Sequence, residues 1–291
     1  MAYVNWGKDL ETGIDLIDRD HRVLVDLLNQ AYDCIGAEEE ASTLGSVLNT
    51  LVDYTQYHFA REERLMQAAG FPELALHREM HQKLSQRARE SRSEYLRNPG
   101  SVNAREVMEF LRSWLIDHIL KQDFRYRSAV IEHPEAMREA AAISFDAVPD
   151  SMAPPANQDQ APGPAPLDFS SMSVLVLDDN QNFQVILRTI LKGLGCPSIT
   201  LVDDAHQGLA ALAEAVPTLI LVDWRMDGMD GLEFVREARG RGVTTPIVMI
   251  SGYGEPGFSE MAKAAGVDAF LEKPITALKL VQTAARALAE R

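Results

Sequence analysis

One segment divides the sequence into two stretches of different periodicity. It reads VPDSMAPPANQDQAPGPAPLDFSS, from Val148 to Ser171, and holds six of the fourteen prolines with almost no large apolar residue. Such a composition cannot bury enough surface to offset the entropy of ordering, so an extended, partly stiff connector is expected. A single core spanning this connector is therefore not expected. The 291 residues suffice for two ordinary domains, each with its own core. The boundaries are taken as 1–142 for the first domain, 143–171 for the linker and 172–291 for the second domain.

Before the linker the apolar residues repeat with a helical period. Ile14, Ile17, His21, Leu24 and Leu28 trace one face of a first helix. A second runs from about Ala41 to Ala69 and stops at the glycine and proline of GFP. A third starts near Glu73, carries Leu74, His77, His81, Leu84 and Ala88 in phase, and stops near NPGS. A fourth carries Val107, Leu111, Trp114 and His118, and HPEAMREAAAISF adds a short fifth helix. Four amphipathic helices with short connections predict an up-down-up-down bundle.

Five of the seven histidines, His21, His58, His77, His81 and His118, fall on the apolar faces of those four helices. His58 with Glu62, and His77 with His81, are one turn apart, about 6 Å on one face, which suits ligands of one metal or of a bridged pair. A lone core histidine is satisfied by hydrogen bonds. Five converging from four helices, beside a carboxylate that must be neutralised, paired or metal-bound, predict metal ligation. Imidazole suits zinc, copper, iron and nickel, whereas bridging carboxylates favour paired iron or manganese. The donors exceed what one tetrahedral ion needs, so two irons fit the count better.

These residues lie in the stretches NWGKDLETGIDLIDRDH, HFAREE, HREMH and WLIDHILKQD, which resemble the bacterial hemerythrins from about Val4 to Tyr126. The resemblance implies one iron held by His77, His81 and His118 and a second held by His21 and His58. Glu62 and Asp123 would bridge them with an oxygen species, leaving an open position for reversible O2 binding on the second iron. Asp123 rests on the resemblance alone. It lies five residues after His118, about 140° further round an ideal helix, so a bend or loosened turn after His118 is required. Phe59, Trp114, Leu115 and Ile119 match positions that wall the family's O2 pocket; ordinary bundle packing is the other reading. His133 and His206 have no companions and read as surface residues.

After the linker, SVLVLDD, SITLV, TLILVDW, PIVMIS and DAFLEK are short β-branched-rich runs separated by helical segments. That alternation predicts an α/β doubly wound, five-stranded parallel sheet of flavodoxin-like type, with functional residues at the carboxyl ends of its strands. Asp178 and Asp179 end the first strand and Asp223 the third, and their mutual repulsion calls for a shared divalent cation. Oxygen ligands at an open edge suit Mg2+. Ser251 and Lys273, at the ends of the fourth and fifth strands, bring a hydroxyl and an ammonium to a phosphoryl group on Asp223.

From about Met172 onwards this pattern resembles a response-regulator receiver domain. The resemblance makes Asp223 the phospho-acceptor. It assigns Mg2+ to Asp179, to Asp178 through water and to the Arg225 carbonyl, and the phosphoryl oxygens to Ser251 and Lys273. Lys273 precedes Pro274 as is usual, Phe270 takes the aromatic switch position, and Asp227 stands where proline is common.

The net charge of −15 argues against a nucleic-acid partner. No apolar run approaches the ~20 residues of a membrane span. The start, MAYVNWGKDL, has no signal-peptide pattern, and the two cysteines, Cys34 and Cys196, are far apart, so a cytoplasmic protein is expected. The expected function is a two-component response regulator whose di-iron bundle senses O2 or redox state. Its receiver would take phosphate from a histidine kinase and signal to a downstream partner or through a homodimer. An O2 or iron carrier located by phosphorylation, and a di-iron enzyme acting on peroxide, iron or nitric oxide, are the alternatives.

Overall fold

The computed structural model describes residues 2–35, 41–98, 104–145, 167–252 and 258–289. The centre of the expected linker, 146–166, lies outside the described residues. The chain divides into two compact units, Met1–Pro149 and Asp150–Arg291.

The first unit is helical: α1 (Asp15–Asp33), α2 (Ala41–Ala68), α3 (Leu74–Arg97) and α4 (Ala104–His118) each neighbour the next, and α4 returns to α1. The wide turn Ile119–Asp123 leads from α4 into α5 (Phe124–Ile131), and α6 (Pro134–Ala141) begins on a proline, whose missing N–H costs nothing there. Ile14, Ile17, Leu65 and Met66 pack with Tyr126, Val130, Ala136 and Ala140, so the end of the unit is closed by α5 and α6. On α3 the locally basic face is mostly solvated, with one exception: Arg92 is 2% exposed.

The second unit carries β1 (Ser173–Leu177), α7 (Gln181–Gly193), β2 (Ser198–Val202), α8 (Ala205–Glu214), β3 (Leu219–Asp223), α9 (Gly231–Gly240), β4 (Ile247–Ser251), α10 (Phe258–Ala265), β5 (Ala269–Glu272) and α11 (Ala277–Ala289). All pairings are parallel in the order β2-β1-β3-β4-β5, the flavodoxin-like order, which puts a crevice where the winding reverses between β1 and β3. β3 and β4 are buried throughout, as their unbroken apolar runs require. Asn180, Asp204 and Asp230 cap α7, α8 and α9 by accepting from backbone amides of the first turn.

Gly231 fixes how closely α9 approaches the end of β3. A Cβ there would lie 2.1 Å from the Asp223 carbonyl oxygen, a backbone atom that cannot turn aside. Gly231→Ala is expected to destabilise this unit by about 3 kcal/mol. Calorimetry of the full chain checks this, and an unchanged transition would show that the strand end yields.

Among the described residues no helix is long and apolar enough to cross a membrane. Cys34 and Cys196 are both buried, and neither is in a disulfide.

Candidate functional site

In the helical unit, His21 on α1, His58 and Glu62 on α2, His77 and His81 on α3, and His118 on α4 all point into one buried centre. Asp123 joins them. Phe124 N–H reaches back to the carbonyl of Ile119, five residues earlier, so the turn is of π type. In such a turn residue i+5 comes to lie near residue i, and the Asp123 carboxylate arrives beside His118 instead of pointing away. This is the loosened turn that the ideal-helix spacing required.

The acids sit between the imidazoles. Glu62 Oε2 lies 3.2 Å from His81 Nε2, 3.3 Å from His58 Nε2, 3.5 Å from His118 Nε2 and 3.8 Å from His77 Nε2. Asp123 places one oxygen 3.2 Å from His21 Nε2 and the other 3.1 Å from His118 Nε2. Two overlapping donor sets result, Glu62–His77–His81–His118 and His21–His58–Glu62–Asp123, each with its ligand atoms within 4.8 Å of one another. Glu62 belongs to both. The Tyr126 hydroxyl donates to its other oxygen, Oε1.

The electrostatics of the centre suit cations. Burial lowers the His21 imidazole well below its ordinary range, with the charge of His58 acting the same way, and burial takes His118 down to about 4. Burial alone would raise Glu62, yet the charge of His58 and the close ring nitrogens of His118, His77 and His81 hold it well below the carboxylate range. Asp123 moves the other way, raised well above its ordinary value by burial and then by the charge of Glu62. Burial would lower His81 too, but Glu62 and Glu63 raise it. Two imidazoles that burial keeps from protonating, His21 and His118, beside one ionised acid and a second that resists ionisation form a centre that gains from a metal cation. His21 Nε2, His58 Nε2, His77 Nε2 and both Asp123 oxygens are buried without a hydrogen-bond partner. Buried nitrogen and oxygen donors that converge with no hydrogen-bond partner of their own fit a metal pair.

Phe59 stacks on His81 with centroids 3.6 Å apart and meets the edge of Trp114 at 5.8 Å. Leu115 and Ile119 are buried. Trp114 is half-buried and borders a groove of about 320 Å3 between α3 and α4, where Met80, Leu84 and His118 also line the wall. His133 and His206 are exposed, as the sequence suggested.

In the second unit the strand ends converge on an acidic pocket. Lys273 Nζ lies 2.8 Å from Asp223 Oδ1 and 3.2 Å from Asp178 Oδ2, and 3.9 Å from the centre of the Phe183 ring. Asp178 Oδ1 accepts from Asn180 N–H at 2.9 Å, and Asp223 Oδ2 from Arg225 N–H at 2.9 Å. Asp179, exposed at the rim, accepts from the backbone N–H of Asp227 at 3.0 Å. The proline common at that position could not make this bond, so the departure from the pattern ties the rim acid to the loop after β3. Ser251 is buried at the end of β4, where its carbonyl accepts from Lys273 N–H at 2.7 Å. Phe270 is half-buried on β5. Burial, and then the charge of Asp223 working against Lys273, raises Asp178 to about 7. Burial raises Asp223 as well. Lys273 would be lowered by burial, but Asp178 and Asp223 raise it, so it stays charged.

Sequence periodicity did not single out Tyr126, Asp20, Arg61, Glu63 or Phe183. Glu63 Oε1 accepts from His81 Nδ1 at 2.9 Å, and its other oxygen accepts from Arg78 Nε at 3.0 Å. A weak signal existed for Tyr126, three residues beyond Asp123 on a helix that continues past the metal acids.

A family profile described as the Hemerythrin HHE cation binding domain matches residues 12–130, and one described as the Response regulator receiver domain matches residues 174–285. The chain is 36% identical over 133 residues to a bacteriohemerythrin of Stenotrophomonas maltophilia, covering 46% of this chain and 85% of that protein. A bacteriohemerythrin of Methylococcus capsulatus is 31% identical over 127 residues, 43% of this chain and 95% of its own length. A two-component response regulator of Oryza sativa subsp. japonica is 39% identical over 112 residues, 37% of this chain and 87% of that protein. Two unrelated folds, each carrying its own converging acids, thus match two separate groups of relatives: the chain belongs to the hemerythrin family through its helical unit and to the response-regulator receiver family through its second unit.

Proposed function

We propose that this protein is a response regulator in which a bridged iron pair in the helical unit reports O2 or redox state, and the receiver accepts a phosphoryl group on Asp223 from a histidine kinase. The pairing of the two families points to a non-enzymatic sensor or regulator. The observation that carries the metal half is the shared acid: Glu62 stands in both donor sets. An iron pair held there supplies reversible O2 binding and a redox change. The chain's own residues do the rest. His77, His81 and His118 would hold one ion and His21 and His58 the other, with Glu62, common to both donor sets, and Asp123, whose oxygens lie near His21 and His118, supplying the carboxylates between them. Phe59, Trp114, Leu115 and Ile119 exclude water and acids from the open side, which slows proton delivery.

In the receiver, Asp178, Asp179, Asp223 and the Arg225 carbonyl hold Mg2+, and Ser251 and Lys273 neutralise the phosphoryl oxygens. Mg2+ must displace the proton that Asp178 keeps up to about 7. The unfolded chain gives up that proton near the ordinary value of 3.8, so without metal this group lowers stability as pH rises from 3.8 to about 7. Mg2+ affinity is therefore expected to fall about tenfold per pH unit below neutrality and to level off above it. Titrations followed by Trp224 fluorescence on either side of neutrality check this; equal affinities would mean that Asp178 is already ionised.

The test of the whole reading is the lifetime of phospho-Asp223 in iron-loaded protein, compared between the anaerobic diferrous form and the same sample after O2. A reversible change that His77→Ala abolishes supports a sensor acting on its receiver. An identical lifetime in both states rejects that control and favours a phosphorylation-located O2 or iron carrier.

A further inference from the structure

Behind His58 lies a buried ion pair that the metal chemistry has not used. Asp20 is fully buried and accepts from Tyr54 Oη at 2.9 Å and from Arg61 Nη1 at 2.9 Å, while its Oδ2 lies 3.7 Å from His58 Nδ1. The Arg61 guanidinium, 9% exposed, lies 4.1 Å from the centre of the Tyr57 ring. Phe145 packs against the same tyrosines, its ring 4.8 Å from Tyr57 and 6.1 Å from Tyr54. Phe145 is buried, and it is the last described residue before 146–166.

A dry ion pair is weak evidence of stabilisation, because apolar residues of the same volume often serve as well or better. Its use is to be sought in what it touches. Asp20 turns its carboxylate toward the outer nitrogen of His58 at 3.7 Å, just beyond hydrogen-bond reach, while Nε2 faces Glu62 at 3.3 Å. An outer carboxylate that closes to hydrogen-bond distance fixes the tautomer and rotation of a metal-binding imidazole, and a small turn of the His58 ring would bring Asp20 into that role. On the other half of the centre Glu63, paired with Arg78, stands behind His81, but that pair is exposed to water at 27% and 41%. Of these two outer pairs, Asp20–Arg61 is the dry one and the one packed against aromatic rings. Tyr54, Tyr57, His58, Arg61 and Glu62 share one side of α2, so one helix carries both the inner ligands and the outer network.

The geometry points to Asp20 and Arg61 as positioning residues for His58 that also tie the two-histidine half of the metal centre to Phe145, where the chain leaves the helical unit. A shift of the His58 ring toward a bound ion changes its approach to Asp20. It thereby changes the seat of Arg61 on Tyr57, against which Phe145 rests. This rests on the proposed reading that His58 holds iron.

The test uses the full chain, metal-free and anaerobically iron-loaded, with an iron titration and hydrogen exchange over residues 134–145 as separate readouts. In the wild type, iron is expected to raise protection of that segment. Asp20→Asn with Arg61→Gln leaves a polar amide at each position, the second on a shorter stem, and removes both charges. It is expected to bind iron about tenfold more weakly and to lose the iron-dependent protection. Glu63→Gln weakens binding but keeps that dependence. Wild-type affinity in the double variant, or the same iron-dependent protection, overturns the inference. Should the double variant not fold, Phe145→Ala decides: it is expected to bind iron normally and to lose the dependence over 134–141, and a retained dependence overturns the tie. A wild type that takes up no iron refutes the metal centre itself, a result distinct from intact uptake with an indifferent network.

Discussion

Glu62→Gln is expected to leave the helical unit folded and to strip it of most of its iron. Glutamine keeps the volume and one oxygen, and its amide group can donate to ring nitrogens that surround Oε2, so the metal-free core stays satisfied. The charge is what is lost. Glu62 stands in both donor sets, and without it the only other acid in them is Asp123, which belongs to one set and resists ionisation. Structural metal sites draw roughly 10–16 kcal/mol from about four ligands, so each lost anionic ligand costs on the order of 3 kcal/mol per ion, about a hundredfold in affinity. Because the residue serves both ions, the loss applies twice. Colorimetric iron content and the visible spectrum after identical loading measure this, with Glu63→Gln, one residue along, as the control that keeps most of its iron. Full occupancy of the Glu62 variant would remove the bridging role.

The second large effect falls in the receiver. Asp223→Asn is expected to abolish phosphoryl acceptance, a loss of at least about a thousandfold, because an amide oxygen cannot act as the nucleophile. The same change should not harm the fold. Asp178 and Asp223 share Lys273, and replacing one acid by a neutral isostere relieves their repulsion while Lys273 keeps its contact with Asp178. Metal-free stability at neutral pH should therefore hold or rise, as is usual where function keeps like charges together. Phosphate-affinity electrophoresis after incubation with a small acyl phosphate reads the first point, and thermal unfolding the second. Phosphate retained on the variant would move the acceptor to another acid of the pocket.

Much of this was legible because each half obeys one period. Histidines at helical spacing on apolar faces can only face inward, and five short β-branched runs separated by helices leave few topologies besides a parallel sheet. The strand-end acids followed from the rule that such sheets bind ligands at their carboxyl edges. Asp123 was not legible from spacing, because a π turn leaves no periodic trace and an ideal helix turns that residue outward. Asp20 and Arg61 escaped for another reason. Charged residues at the margin of an apolar face are usually solvated, and only the fold shows that the two meet in the interior. Trp114 fitted the apolar face of its helix, yet it ends half-buried beside an open groove, which period alone does not distinguish from core.

The π turn has a consequence for how this centre tolerates change in chain length. A helix adopts such a turn when it carries one residue more than an α ladder can place. Leu120 and Lys121, within it, are exposed, so one of them could be removed without taking a side chain from the core. The shortened segment would close into ordinary α-helix with the acid four residues after His118, still on the inward face, and every residue from Phe124 onward would keep its orientation. Height would hardly change either, because a π turn is wider and flatter than an α turn, so its five residues advance about as far along the axis as four α residues. The extra residue is carried as girth rather than length, and the level at which the second acid meets the histidines is the same with it or without it.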